Sequence, residues 1–432
     1  MTKTRTTATV RMYNVGFGDA FVVTVSRSKK VWRMLVDCGV SRSSQARPIA
    51  ESVRAIIDDL IAVSPAGSPP RLDVVVATHH HADHIAGFAD PAWEEVEVGE
   101  VWVPFIEDAD DADARALRTG QVQTAHALSA LIGDASQRLA AAEDPRARDA
   151  LTLAAVFAAN SSGNDIARDR LLGQNGLSFK NTPTVRYVPA VDPVENVVPT
   201  PIPRTVVHLL GPSRDHDDLK RMNPPKAVRW LQLTAEERLA DDEDQPPFEP
   251  AYAVPFGAVD DEVPSVLQEA QKALNLSPLA DEADELLAAS SVLERAVNNT
   301  SVYFVLDVDG TRLVFVGDSQ YGAWKHVLDD PESRALVTDP AFYKVGHHGS
   351  HNATPKEYVT EELLGRGHVA MMPFRLVPQW PSIPEHKLLD ELEELDTHVI
   401  RADDPEGPDV TVDEGGLWSE VTFTASARAS RA

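Results

Sequence analysis

Between Ala77 and Phe88 the chain reads ATHHHADHIAGF, which puts four histidines and one aspartate into six consecutive positions. Imidazole and carboxylate together form a mixed nitrogen and oxygen donor set that suits zinc, with manganese or iron less common. In an extended segment the side chains of His79 and His81 fall on one side, and Asp83 and His84 follow as the chain turns. The stretch therefore offers two imidazoles to one cation, and a carboxylate with an imidazole to a neighbouring one. His80 lies between two ligands and is expected to point away. A second concentration, YKVGHHGSHNATP, holds His347, His348 and His351, so half of the fourteen histidines lie in two short windows.

These side chains need a scaffold. TATVRMYNV alternates in polarity, and AFVVTVSR and VWRMLVDCG follow as apolar strands. RPIAESVRAIIDDLIAV repeats apolar residues at Ile49, Val53, Ile56, Ile57 and Leu60, a helical period closed by the loop SPAGSPPR. LDVVVAT is a short, continuously apolar strand, and the histidine cluster follows its C-terminal end. VEVGEVWVP, VRYVPAV and TVVHLLGP read as further strands. An alanine-rich stretch from about Asp108 to Asn160 and the segments VPSVLQEAQKALN and ADELLAASSVLERAV read as helices, with ADDEDQPPFEP a solvated loop. TSVYFVLDVDG and TRLVFVGD form a hairpin turned by Asp309 and Gly310. Helices YGAWKHVLDD, TPKEYVTEELL and PEHKLLDELEEL then alternate with strands AFYKVG, HVAMMPF, THVIRA and LWSEVTFTA. The pattern is that of an α/β domain of two packed sheets flanked by helices, spanning residues 1–432 with partly helical insertions over 105–297.

Composition narrows the function. The 432 residues are 43% hydrophobic and 25% charged, ordinary values for a globular chain. A single cysteine, Cys38, excludes a disulfide framework and a cysteine-rich zinc site; next to Asp37 it reads as a small buried apolar residue. MTKTRTTATVRMY lacks the apolar run of a signal peptide, and the longest apolar stretch, Ala150–Ala159, is about half of a membrane span. A soluble, cytoplasmic protein without membrane contact is expected. The net charge of −27 argues against extended nucleic-acid binding, though not against cleavage of a small phosphoester.

The histidine cluster resembles the opening signature of the metallo-β-lactamase superfamily, T-H-x-H-x-D-H-x-G-G, at Thr78, His79, His81, Asp83, His84 and Gly87, with Ala86 in place of the first glycine. LVDCG (Leu35–Gly39) and FVGDSQ (Phe315–Gln320) fit later motifs of that superfamily. KVGHHGS (Lys344–Ser350), VGFGDA (Val15–Ala20) and NNTS (Asn298–Ser301) resemble the hydrolase domain of DNA-uptake competence proteins and its soluble relatives. The double histidine is also similar to that of phosphorylcholine esterase. The resemblance covers the halves at about 8–104 and 298–425 and leaves the middle unmatched. It lacks the competence proteins' membrane channel, so DNA uptake is not implied.

The resemblance implies a four-layer αββα metallo-β-lactamase-like sandwich with helical insertions, and a hydrolase using two divalent metal ions, zinc first and manganese as the alternative. A metal lowers the pKa of bound water from about 15.7 toward 7 and so provides a hydroxide at neutral pH. It assigns His79, His81 and Asp318 to one metal, and Asp83, His84, the bridging Asp318 and one of His347 and His348 to the other. His347 is preferred because it comes first after the strand and Gly346; His348 then contacts substrate or donates a proton to the leaving oxygen, and the reverse order is the alternative. Asp37 would orient a ligand imidazole, and Asp19 and Ser350 would line the pocket. His208, in TVVHLLGPS, is a weak candidate for a third histidine, and His126 a poorer one. The expected reaction is phosphoester hydrolysis of the phosphodiesterase or nuclease-like kind. Hydrolysis of a lactam, lactone or thioester is the alternative, as is an interaction protein of a multi-protein system whose helical insertions contact protein partners.

Overall fold

The computed structural model describes residues 5–41, 44–121, 164–221, 223–225, 230, 297–377, 383–407 and 409–425. The chain divides into two units. One comprises residues 1–119, 160–231 and 295–432; the other comprises 120–159 and 232–294 and, apart from residues 120 and 121, lies outside the described residues. The helix expected over VPSVLQEAQKALN, that over ADELLAASSVLERAV up to its last residue Val297, the apolar stretch Ala150–Ala159 and the candidate His126 also lie outside them.

The first unit holds two sheets. One contains β1 (Thr6–Tyr13), β2 (Ala20–Arg27), β3 (Lys30–Cys38), β4 (Arg71–Val76), β5 (Glu97–Pro104), β6 (Thr184–Val188), β14 (Thr411–Val412) and β15 (Trp418–Thr424), in the order β14-β15-β1-β2-β3-β4-β5-β6. The other contains β7 (Val197–Pro199), β8 (Thr205–Gly211), β9 (Tyr303–Val308), β10 (Thr311–Phe315), β11 (Phe342–Lys344), β12 (Val369–Met372) and β13 (His398–Arg401), in the order β13-β12-β11-β10-β9-β8-β7. Strands β6, β7 and β8 complete the two sheets from within the stretch expected to be insertion.

Side-chain alternation builds the layers. In β1 the buried Ala8, Val10 and Met12 join Phe304, Leu306 and Phe315 of the second sheet in one core between the sheets. The opposite face of the first sheet packs on helix α1 (Ile49–Ala62) through Val53, Ile56, Ile57 and Leu60, each contributing about 1.5–3 kcal/mol as apolar area leaves water. The outer face of the second sheet packs on helices Tyr321–Asp329 and His386–Glu394 through Trp324, Val327, Leu388 and Leu392. Helix, sheet, sheet and helix follow one another as expected for the αββα sandwich.

Each sheet changes from antiparallel to parallel pairing part-way, between β3 and β4 in one and between β10 and β11 in the other. The Asp309–Gly310 hairpin forms as read, with both residues at positive φ. The helix expected over TPKEYVTEELL is instead a run of turns. Tyr358 buries its ring 4.5 Å from that of Trp324 and donates to the Val337 carbonyl, and this packing overrides the helical pattern. Among the described residues, no helix is long and apolar enough to cross a membrane.

Candidate metal centre

Each of the two switches in strand direction feeds one side of the site. The last residue but one of β3 is Asp37, which sits in the left-handed region at φ 56°, a conformation aspartate tolerates better than most residues. Its Oδ1 accepts from the Thr78 backbone N–H and its Oδ2 from the Thr78 hydroxyl, both at 2.7 Å. β4 then runs into His79–His81 and the single turn α2 (Ala82–Ile85), which carries Asp83 and His84. α2 lies directly against Gly39: a Cβ there would come within 2.4 Å of the His84 nitrogen. The VGFGDA turn clamps the same point, since Asp19 N–H donates to the Asp83 carbonyl at 2.9 Å.

From the other sheet, β10 leads through Gly317 to Asp318. Gly317 is left-handed and packed so tightly that a Cβ would lie 2.8 Å from that of Ser301. The NNTS segment holds this loop: Ser301 Oγ accepts from Asp318 N–H at 3.1 Å and Asn299 Oδ1 from Gln320 N–H at 3.0 Å. β11 delivers Lys344 and then a turn in which His347, His348 and Gly349 are all left-handed, at φ 43°, 54° and 81°. Non-glycine residues reach that region at about 1–2 kcal/mol each.

Three donor groups result, one of which, Asp19, Asp37 and His84, is engaged by Lys344 and Thr78; the other two are the candidates for a cation. Asp83, His84, Asp318 and His348 bring one ligand atom each within 4.8 Å of one another, and so do His79, His81 and Asp83; Asp83 belongs to both. All are buried. His84 Nε2 lies 3.0 Å from Asp318 Oδ2 and 4.0 Å from Asp83 Oδ1, His348 Nε2 lies 3.6 Å from Asp83 Oδ2, and His79 Nε2 lies 3.1 Å from His81 Nδ1. Four donors placed about 2.1 Å from a common tetrahedral centre stand about 3.4 Å apart, so the spacing fits a cation. His348 Nε2 is buried without a hydrogen-bond partner, which a cation would satisfy.

The ionisation states agree. Burial lowers His79 well below the usual imidazole range and brings His81 down to about 3, so both are neutral and carry a lone pair. Burial would also lower His84, but Asp318, Asp19, Asp37 and Asp83 outweigh it and raise its pKa well above normal. Burial opposes ionisation of Asp83 and Asp318, yet the surrounding imidazoles, and Lys344 for Asp318, hold both carboxyls below their ordinary range. The charge pattern is that of a place where positive charge is wanted.

Several expected residues fall elsewhere. His347 is not among the converging donors: its backbone N–H donates to Asp318 Oδ1 at 3.1 Å and its side chain is partly exposed, whereas His348 packs on Phe17, 3.9 Å between ring centroids, and enters the cluster. The preference between the two histidines is therefore reversed. Asp318 Oδ1 lies 3.4 Å from the Lys344 ammonium, and the carboxylate that falls in both of these donor groups is Asp83. His208 sits half-buried on β8 opposite Val305, alternating with the core residues Val207 and Leu209, and belongs to no donor group among the described residues. Asp19 is buried, and its Oδ2 is 2.5 Å from the Lys344 ammonium. Ser350 Oγ donates to Asn352 Oδ1 at 3.0 Å. Asp37 Oδ2 accepts from His84 Nδ1 at 2.8 Å. His80 does point away, its Nδ1 3.5 Å from Glu107.

The residue that motif reading passed over is Lys344. It is buried, its ammonium donates to the Gly317 carbonyl at 2.9 Å, and it lies 3.4 Å from Asp318 Oδ1. Burial would lower its pKa, but Asp19 and Asp318 raise it above the usual lysine range. A lysine inside the apolar strand AFYKVG was the available signal, because a buried charge requires a partner.

Residues 13–90 match the model of the metallo-beta-lactamase superfamily. That stretch carries Asp19, Asp37 and the whole His79–His84 cluster. No curated protein matches the chain. The superfamily consists mostly of hydrolytic metalloenzymes, and the match and the donor groups together support a metal-dependent hydrolase.

Proposed function

We propose that the protein hydrolyses phosphoesters, with two divalent cations, zinc before manganese, held by the two donor groups. The observation that carries this reading is the place of His348. The K-V-G-H-H-G-S segment, which resembles that of phosphoester-cleaving relatives, folds so that His348 meets Asp83, His84 and Asp318. Two cation positions sharing Asp83 also suit a phosphoryl group, whose oxygens need charge compensation on both the attacking and the leaving side.

His79, His81 and Asp83 would hold one cation, and Asp83, His84, Asp318 and His348 the other. Bound there, the cations supply the Lewis acidity that acidifies water and takes up phosphoryl charge. The chain does the rest. Asp37 and the Pro373 carbonyl aim His84 and His348 inward through their Nδ1 hydrogens. Lys344 and the His347 N–H fix one oxygen of Asp318. His347, partly exposed beside Asp318, takes over the proton donation to the leaving oxygen first assigned to His348. The strongly acidic chain favours a small phosphodiester over a long nucleic acid.

The test compares purified protein on bis-p-nitrophenyl phosphate, nitrocefin and a lactone. Phosphodiester turnover that disappears in Asp83→Ala and His348→Ala is the expected result. Turnover of the carbonyl substrates alone overturns the reading.

A further inference from the structure

The two donor groups share Asp83 but are built unequally, and we infer that cations fill them in a fixed order: the position formed by Asp83, His84, Asp318 and His348 first and tightly, the position formed by His79, His81 and Asp83 last and loosely. The inference rests on the reading of the cluster as a metal centre.

Donor number is the first ground. Four protein donors close a tetrahedral site, whereas three leave it open to exchange. The one carboxylate of the three-donor group is the shared one, so an ion already seated beside it has drawn on the same negative charge. Among the described residues no further histidine or carboxylate completes the smaller group, and His208 stands on another part of its sheet.

Lone-pair direction is the second ground. His84 Nδ1 faces a carboxylate and His348 Nδ1 faces the Pro373 carbonyl at 2.7 Å. Both partners only accept, so each ring carries a hydrogen on Nδ1 and turns its Nε2 inward, where on His84 a cation would displace the proton now shared with Asp318. Asp37 is itself fixed by two hydrogen bonds from Thr78. His79 is set less firmly, its Nδ1 facing the hydroxyls of Thr78 and Ser301 at 3.2 and 3.3 Å. Such supporting partners change metal affinity by about 10–100-fold.

Lys344 does not reverse the order. Its ammonium is close to the four-donor position, but Asp19, 2.5 Å away, cancels its charge while leaving it to hold Asp318 in place.

The test is zinc binding by the full-length chain, stripped with chelator and then dialysed against buffered free zinc, with bound metal counted by elemental analysis. The expected wild-type result is two equivalents taken up in steps at least about tenfold apart in free zinc. His81→Ala keeps the tight equivalent at unchanged affinity and loses the weak one; His348→Ala loses the tight one. Circular dichroism reports whether each variant is folded. If His348→Ala is not, Asp37→Asn replaces it, with the tight step expected to weaken and the weak step to stay. Two steps within threefold of each other, or loss of the tight equivalent in folded His81→Ala, overturn the order and leave the metal-centre reading standing. A folded wild type that binds no zinc or manganese overturns both.

Discussion

The pair Lys344 and Asp19 offers a quantitative test of how the site is held. Lys344→Met keeps the length and much of the volume of the side chain but removes the ammonium that meets Asp19 at 2.5 Å and Asp318 at 3.4 Å. Removing one partner of a buried ion pair costs about 3–5 kcal/mol, because the other charge is left uncompensated. Asp19→Asn costs a similar amount, since the ammonium keeps only Asp318 and the Gly317 carbonyl. Combining them leaves an amide beside a thioether, with no charge stranded between the two. The double variant should therefore lose little more than one single variant, a coupling of about 2–4 kcal/mol. At about 2–3 °C per kcal/mol for a large domain, each single variant melts roughly 6–15 °C below wild type. Urea and thermal denaturation in chelator-containing buffer at pH 7.5 measure all four proteins. Additive losses, or a Lys344→Met loss under about 1 kcal/mol, would refute the claim that this pair neutralises the floor of the site.

Asp37→Ala deprives the His84 Nδ1 hydrogen of its acceptor and should weaken zinc binding about 10–100-fold, read by the same dialysis. Gly39→Ala drives a methyl to 2.4 Å from the His84 nitrogen and 2.5 Å from the Ala82 carbonyl, both backbone. A loss of at least about 1–3 kcal/mol follows, together with impaired zinc uptake, and a variant matching wild type in both would contradict the packing described. Glu107 is buried between Arg118, Arg168 and His80; burial opposes its ionisation, but those neighbours hold its carboxyl well below the usual range. Its folded pKa being depressed, its contribution is complete above the unfolded value of about 4.3 and drains away as pH falls below it. Urea midpoints at pH 6, 4.5 and 3.5 should thus fall less steeply for Glu107→Gln than for wild type, and parallel profiles would contradict this.

Much of the scaffold could be read from periodicity. The alternation in β1, the apolar stripe of α1 and the Asp309–Gly310 turn each follow from local chemistry, and the donors of the His79–His84 stretch announce themselves by type and spacing. What escaped depends on tertiary position. Whether His347 or His348 turns inward is decided by three left-handed residues in a row and by Phe17 and Pro373, which lie far away in sequence. Which carboxylate falls in both donor groups likewise depends on packing, with Lys344 of the neighbouring strand facing one oxygen of Asp318. The run Thr354–Leu364 carries helical periodicity, yet Tyr358 is drawn into the aromatic cluster with Trp324 and Tyr343.

The charges explain why these strains persist. Asp19, Asp37, Asp83 and Asp318 are buried beside a single buried ammonium, Lys344, so carboxylates outnumber lysine four to one. Such an excess is costly in a low-dielectric interior unless cations or protons offset it. The raised pKa of His84 shows protons doing part of that. Two left-handed histidines add a few kcal/mol, and neither the strain nor the excess charge improves packing. A cation bound by the donors that follow β4 and β10 would offset the excess charge, and that accounts for a fold that retains both.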